Sequence, residues 1–141
     1  MKTLILFLTI FAGLFLAACG APTTSLQTQN VVEVPITLTD FGIESPVTKF
    51  QKNVRYRFSV TNTGLIAHEF VIAKPQTSGG HAAHSGSEKA LVEIRAQDLP
   101  AGATKTVEAR FDHAVNADEL EMACHIAGHY EAGMKLGIAV N

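Results

Sequence analysis

From Val31 onward, apolar and polar residues alternate in short runs separated by turn-forming residues. In the clearest run, every second position from Val54 to Val60 is apolar and the positions between are polar. Further apolar-rich or alternating runs cover 31–38, 69–73, 91–96, 107–111, 120–124 and 136–140. Because successive side chains of a strand point to opposite faces, about seven or eight such runs predict an antiparallel β-sandwich. No long helical pattern follows residue 18, so the sequence predicts a single all-β domain.

The first eighteen residues have a different pattern. Lys2 precedes an apolar run at 4–16, and the small residues Ala17 and Ala18 come before Cys19, which is typical of a secretory signal peptide. The run is shorter than the about 20 residues of a transmembrane helix. Residues 16–19, Leu-Ala-Ala-Cys, also resemble the bacterial lipobox, whose cysteine is lipidated and becomes the N-terminus; the alternative is an ordinary signal peptide with an incidental Cys19. We therefore expect a signal peptide at 1–18, a lipidated Cys19 with a flexible tether at 19–30, and a folded domain at 31–141.

Charge and cysteine content narrow the functional classes. The formal net charge of the 141 residues is −2, which gives no electrostatic basis for binding nucleic acid. The chain has two cysteines, and lipidation of Cys19 would leave Cys124 as the only cysteine of the folded part. Exported domains usually pair their cysteines, so an unpaired one needs an explanation. A thiolate that binds a metal is one, and a buried inert thiol is the other.

Donor side chains are concentrated in the segment 122–134, MACHIAGHYEAGM. Cys124, His129 and Met134 offer a thiolate, an imidazole and a thioether, which together suit both oxidation states of copper. Gly128 and Gly133 allow the tight turns that would bring three donors of one loop together. A second imidazole would have to come from elsewhere, and His68 at the start of a predicted strand offers it.

The pattern N-x-G-x-x-x-H-E-F at 62–70, followed by C-x4-H-x4-M near the C-terminus, resembles the cupredoxin family over 31–141. The resemblance implies a Greek-key β-sandwich or barrel with one type 1 copper ion at one end. It also implies that His68, Cys124 and His129 are the equatorial ligands and that Met134 is the axial ligand. Within the family, the ligand loop is longer than that of plastocyanin and closer to that of multicopper oxidases.

The chain lacks what oxidase chemistry requires. Ala123 stands where multicopper oxidases place a histidine before the cysteine, paired H-x-H motifs are missing, and a binuclear site would need a second cysteine in the loop. We therefore expect a protein that is not an enzyme and that transfers single electrons. It would be a monomer, lipid-anchored to a bacterial membrane in the periplasm or at the cell surface. Its partners would be redox proteins at a membrane or soluble electron carriers.

Copper tolerance, buffering or delivery is the alternative function, because family members with a similar H-E-F and a long C-H-x3-H loop are associated with it as well. His81 and His84, in the Gly- and Ser-rich segment 74–89, would then be auxiliary copper ligands; otherwise they are solvated polar residues. His125 follows Cys124 directly and should point to the opposite face of the strand, as a surface residue or as part of an electron exit path.

Overall fold

The computed structural model describes residues 30–76 and 90–141. The predicted signal peptide, Cys19 and almost all of the tether lie outside these residues, as do His81 and His84. Within the described part of the chain, no helix is long and apolar enough to cross a bilayer.

The described residues form ten short strands and one 3₁₀ turn at Ala96–Asp98. The strands are β1 (Val31–Thr39), β2 (Gly42–Glu44), β3 (Lys49–Phe50), β4 (Arg55–Asn62), β5 (Phe70–Ala73), β6 (Val92–Ile94), β7 (Thr104–Arg110), β8 (Glu121–Ala123), β9 (Lys135–Gly137) and β10 (Ala139–Val140). The number exceeds the seven or eight predicted. Strands β2, β3 and β10 have only two or three residues each, which is too short for an alternating pattern to show.

The strands form two four-stranded sheets in the orders β2-β1-β4-β7 and β6-β5-β8-β9, and β3 pairs with β10. The all-β sandwich is therefore confirmed, as two separate sheets. The expectation of purely antiparallel pairing is wrong in two places, because β1 pairs with β4 and β3 pairs with β10 in parallel. The chain passes through β2 and β3 before it enters β4, and this crossover gives β4 the same direction as β1.

Apolar side chains of both sheets fill the space between them. On β4 the alternation has the predicted effect, since Tyr56, Phe58 and Val60 are buried while the residues between them are exposed or half-buried. Phe50 is completely buried, and its ring centroid lies 4.9 Å from that of Tyr56, 5.7 Å from Phe58 and 5.4 Å from Phe111. This aromatic cluster joins the β3–β10 pair to the first sheet.

Two connections between strands carry the predicted metal ligands. The first, residues 63–69, joins β4 of the first sheet to β5 of the second sheet. The second, residues 124–134, joins the neighbouring strands β8 and β9. Because β5 and β8 are antiparallel neighbours, the start of β5 lies beside the end of β8, and the two connections meet at one end of the sandwich.

The aromatic cluster predicts a large loss of stability when Phe50 is truncated. Phe50→Ala should lower the free energy of unfolding by about 3–5 kcal/mol, because it removes buried apolar area and leaves a cavity between three rings. Phe41→Ala is the matched control: Phe41 is 84% exposed, and its replacement should change stability by about 0.5 kcal/mol or less. Urea unfolding followed by circular dichroism measures both. Equal losses in the two variants would contradict this description of the core.

Candidate metal centre

His68 is positioned by a loop that folds around the buried side chain of Asn62. The Asn62 amide nitrogen donates hydrogen bonds to the carbonyl oxygens of Ile66 at 2.8 Å and Leu99 at 2.9 Å. Its Oδ1 accepts a hydrogen bond from the Gly64 N–H at 2.9 Å. The backbone N–H of His68 in turn donates to the Leu99 carbonyl at 3.1 Å. One asparagine therefore satisfies the backbone groups of the loop that presents His68.

Asp40, in the turn after β1, contacts His68 from the other side. Its Oδ1 lies 3.1 Å from Nε2 of His68 and accepts a hydrogen bond from the Leu65 N–H at 2.9 Å. The hydrogen bond from the Leu65 backbone lowers the pKa of the Asp40 carboxyl, and the bond from His68 adds to this against an opposing effect of burial. Asp40 is not predictable from the sequence alone, because no local motif links it to a histidine twenty-eight residues later.

The second donor loop begins at Cys124, directly after β8. The Cys124 N–H donates to the Met134 carbonyl at 3.1 Å, and the Met134 N–H donates to the His129 carbonyl at 3.0 Å, so backbone hydrogen bonds hold the loop closed. Gly128 and Gly133 have φ angles of 87° and 100°, in the region that favours glycine. The glycine turns expected from the sequence are thus present.

The two loops bring three predicted ligands together. Nδ1 of His68 lies 3.2 Å from Nδ1 of His129, which lies 3.6 Å from Sγ of Cys124, and the three donor atoms are all within 4.8 Å of one another. His68 and Cys124 are fully buried, whereas His129 is half-buried. Met134 is 1% exposed and belongs to the same buried cluster as Cys124. Its role as the axial ligand stays a prediction.

Burial tunes the donors before any metal binds. Desolvation raises the pKa of the Cys124 thiol, against the opposing effect of the Glu69 N–H, which lies 3.4 Å from the sulfur. Desolvation also lowers the pKa of His129, and the neighbouring His68 lowers it further. Both effects favour the neutral imidazole of His129, the form with a nitrogen lone pair available for a metal. A metal that binds here must displace the proton of the thiol, which couples its affinity to pH.

Comparison with solved structures identifies the fold. Reduced auracyanin from Roseiflexus castenholzii superimposes with a TM-score of 0.58 and 16% identity, over 79% of this chain and 96% of the auracyanin chain. Rusticyanin from Thiobacillus ferrooxidans gives a TM-score of 0.61 and 16% identity, over 79% of this chain and 77% of rusticyanin. An azurin of Methylomonas sp. strain J gives 0.54 and 14%, over 78% and 98% of the two chains. The chain folds as a cupredoxin.

At the level of sequence, the chain is 29% identical over 120 residues to the copper-resistant cuproprotein CopI of Rubrivivax gelatinosus. The match covers 82% of this chain and 68% of the relative. No family model matches the chain.

The donor set of this site fits one copper ion. Two donors bound about 2.0–2.3 Å from a common ion, at trigonal or near-tetrahedral angles, lie roughly 3.2–3.8 Å apart. The separations of 3.2 Å between the two imidazole nitrogens and 3.6 Å between Cys124 and His129 agree with this. Two imidazoles and one thiolate, with a methionine nearby, are the donors of a type 1 copper site. The cofactor is therefore one copper ion.

The remaining histidines lie apart from the cluster or outside the described residues. His125 packs against Tyr130, with ring centroids 5.5 Å apart, and Tyr130 covers Val71 and Ala123 on the outer face of the second sheet. His125 therefore lies on the face opposite to Cys124, as predicted. His113 is exposed and pairs with the neighbouring Asp112.

The geometry predicts that the visible absorption of the copper protein depends on Cys124. Purified protein loaded with Cu(II) should show an intense thiolate-to-copper band, and Cys124→Ser should abolish it because the hydroxyl cannot replace the charge-transfer donor. His113→Ala, which changes an exposed histidine, is the control and should leave the band unchanged. A band that survives in Cys124→Ser would contradict the assignment of the thiolate.

A second prediction concerns the axial position. Met134→Leu should retain copper and raise the midpoint potential, because loss of a weak thioether donor destabilises Cu(II) more than Cu(I). Met134→Gln, with a harder oxygen donor, should lower the potential. Met122→Leu is the matched control, since Met122 is equally buried in the core. Loss of the metal in Met134→Leu, or an equal shift in Met122→Leu, would show that Met134 is not the axial ligand.

Proposed function

We propose that this protein is an extracytoplasmic one-electron carrier, in which one copper ion alternates between Cu(II) and Cu(I) and no substrate bond changes. The observation that carries this proposal is the cluster of three donor atoms within 4.8 Å, formed by His68, Cys124 and His129. Copper in such a donor set is bound in both oxidation states. Electron transfer is fast when the donors move little between those states, so this function requires a rigid site.

Hydrogen bonds within the protein hold each donor. The backbone N–H of Cys124 is bonded to Met134, the loop that carries His68 is closed by the Asn62 side chain, and Nε2 of His68 contacts Asp40. None of these interactions uses the metal-binding atoms of the two imidazoles. A preorganised polar environment of this kind spares the protein a rearrangement at the moment of charge transfer. This favours electron transfer over the uptake and release of copper.

Electrons would pass through His129. His68, Cys124 and Met134 are at most 1% exposed, whereas His129 is half-buried. Close to this end of the molecule lies an apolar rim of Phe41, Leu65 and Ile66, which are 84%, 86% and 50% exposed. We propose that a redox protein docks here, because apolar contacts of modest area suit a complex that must form and separate quickly.

The protein would work close to a membrane. The predicted signal peptide directs export, and the predicted lipid on Cys19 would hold the domain through the tether at 19–30. Lipidation would also leave Cys124 as the single thiol of the domain, which a copper ion protects from the oxidising conditions outside the cytoplasm. We propose a monomer whose partners are membrane complexes or small soluble carriers.

Copper tolerance is the second candidate function, and the relationship to CopI favours it. That relative is described as a copper-resistant cuproprotein, and it matches 82% of this chain. His81 and His84 of the Gly-rich segment would then collect a second, weakly bound copper ion before it moves inward. Fixing the backbone of a residue costs on the order of 1–2 kcal/mol, so we expect a site built from two histidines of a Gly-rich sequence to be weak.

The two candidate functions predict different results for the same strain and protein. If the protein is an electron carrier, it should bind one copper ion per chain, accept electrons rapidly from a membrane preparation, and behave identically after His81→Ala and His84→Ala are combined. A deletion strain should lose electron flow while its copper tolerance stays normal. Copper analysis of the protein, stopped-flow reduction and growth in graded copper concentrations measure these properties.

Controls connect these results to the copper site. Cys124→Ser should fail to rescue electron flow in the deletion strain, whereas His113→Ala should rescue it fully. Copper sensitivity of the deletion strain with intact electron flow would overturn the carrier proposal in favour of copper tolerance. A second copper equivalent that disappears in the double histidine variant would point the same way.

A further inference from the structure

Asp40 joins the copper site to the first sheet. It lies one residue beyond β1, its side chain is 24% exposed, and its Oδ1 is 3.1 Å from Nε2 of the buried His68. The same carboxylate accepts hydrogen bonds from the N–H groups of Leu65 at 2.9 Å and Ile66 at 3.4 Å. A single anionic group therefore contacts both a copper ligand and the loop that precedes that ligand.

Gly64 leaves room for this contact. A Cβ atom at position 64 would lie 2.2 Å from Oδ1 of Asp40 and 2.9 Å from Nε2 of His68, both closer than atoms can approach without displacement. The backbone of Gly64 is held in place by Asn62, whose Oδ1 accepts its N–H at 2.9 Å. Any larger residue at this position would push the carboxylate and the imidazole apart. The hydrogen bond between Asp40 and His68 therefore requires glycine at position 64.

The hydrogen bond fixes the tautomer of His68. A carboxylate accepts hydrogen bonds and donates none, so Nε2 of His68 must carry the proton that faces Asp40. Nδ1 then keeps a free lone pair, and it is Nδ1 that faces His129 at 3.2 Å. Partners of this kind orient a ligating histidine and increase its basicity.

We propose that Asp40 is a positioning residue of the copper site, which fixes His68 for metal binding and lowers the midpoint potential. The negative charge makes the imidazole a stronger donor, and a stronger donor stabilises Cu(II) more than Cu(I). This inference rests on copper binding at the cluster and applies whether the copper serves electron transfer or copper tolerance.

Asp40→Asn tests the proposal in the full-length protein, because it keeps the size of the side chain and removes its charge. We expect a more positive midpoint potential and a loss of Cu(II) affinity of about 10- to 100-fold, the range for partners of metal-bound histidines. Chelator competition measures the affinity, and spectroelectrochemistry measures the potential. Asp118→Asn is the matched control, because its replacement makes the same change in net charge. Asp118 is exposed and comes before β8, whereas the ligand loop that begins at Cys124 comes after β8.

Gly64→Ala is a second way to disrupt the contact between Asp40 and His68, and it does not change the net charge. The added methyl group should separate Asp40 from His68 and raise the potential as Asp40→Asn does. Proton NMR of the reduced wild-type protein gives a third measurement that needs no variant. The Nε2 proton of His68 should appear as a downfield resonance that exchanges slowly with solvent.

The outcomes separate the proposal from its premise. If Asp40→Asn shifts the potential and the Cu(II) affinity no more than Asp118→Asn does, or if the His68 Nε2 proton exchanges freely in the wild-type protein, Asp40 only shapes its turn and the proposal is wrong. A wild-type protein without a thiolate-to-copper band would instead count against copper binding at the cluster.

Discussion

The structure depends on one constraint: a thiol and two imidazoles must be kept close together and largely out of water. Their donor atoms lie within 4.8 Å, and two of the three side chains are completely buried. Each buried polar group costs free energy unless another group satisfies it. The shifts in pKa at Cys124 and His129, both due mainly to desolvation, show that this cost bears on the donors themselves. A bound copper ion would offset it by occupying the lone pairs that face each other.

Three parts of the chain, distant in sequence, share the work of holding the donors. The turn after β1 supplies Asp40, the end of β4 and the connection that follows it supply Asn62 and His68, and the β8–β9 connection supplies the rest. The carbonyl of Leu99 adds a fourth anchor, since it accepts hydrogen bonds from both Asn62 and the His68 backbone. Residues at the ends of strands from both sheets therefore hold the site, and its geometry depends on the packing of the two sheets against each other.

The sequence predicted those features that depend on neighbouring residues. The spacing of Cys124, His129 and Met134, and the two glycines between them, define one loop whose closure is local. Strand alternation likewise predicted the buried face of β4. The number of strands and their parallel pairs were not predictable in this way, because pairs such as β3 with β10 join segments about ninety residues apart.

The contribution of Asp40 shows why the surroundings of the ligands are harder to predict than the ligands. In the parallel pair of β1 and β4, Leu38 lies opposite Asn62. Asp40 and Gly64 come two residues later, just beyond the ends of the two strands, and they are neighbours there as well. The contact follows at once from the register, but the register itself depends on the crossover through β2 and β3. Sequence patterns that are read locally contain no information about it.

The same geometry constrains how copper could serve either function. An ion at the cluster is enclosed by His68, Cys124 and Met134, which are at most 1% exposed, so solvent approaches it past His129. An electron carrier uses that edge as it stands, because an electron crosses the imidazole without displacing it. A copper-buffering protein would have to move the His129 imidazole aside for each ion, while backbone hydrogen bonds from the His129 N–H to Ile126 and from the Met134 N–H to the His129 carbonyl keep the loop itself in place. Access to a copper ion would therefore pass His129 in both roles, and only electron transfer would use that edge without moving the imidazole.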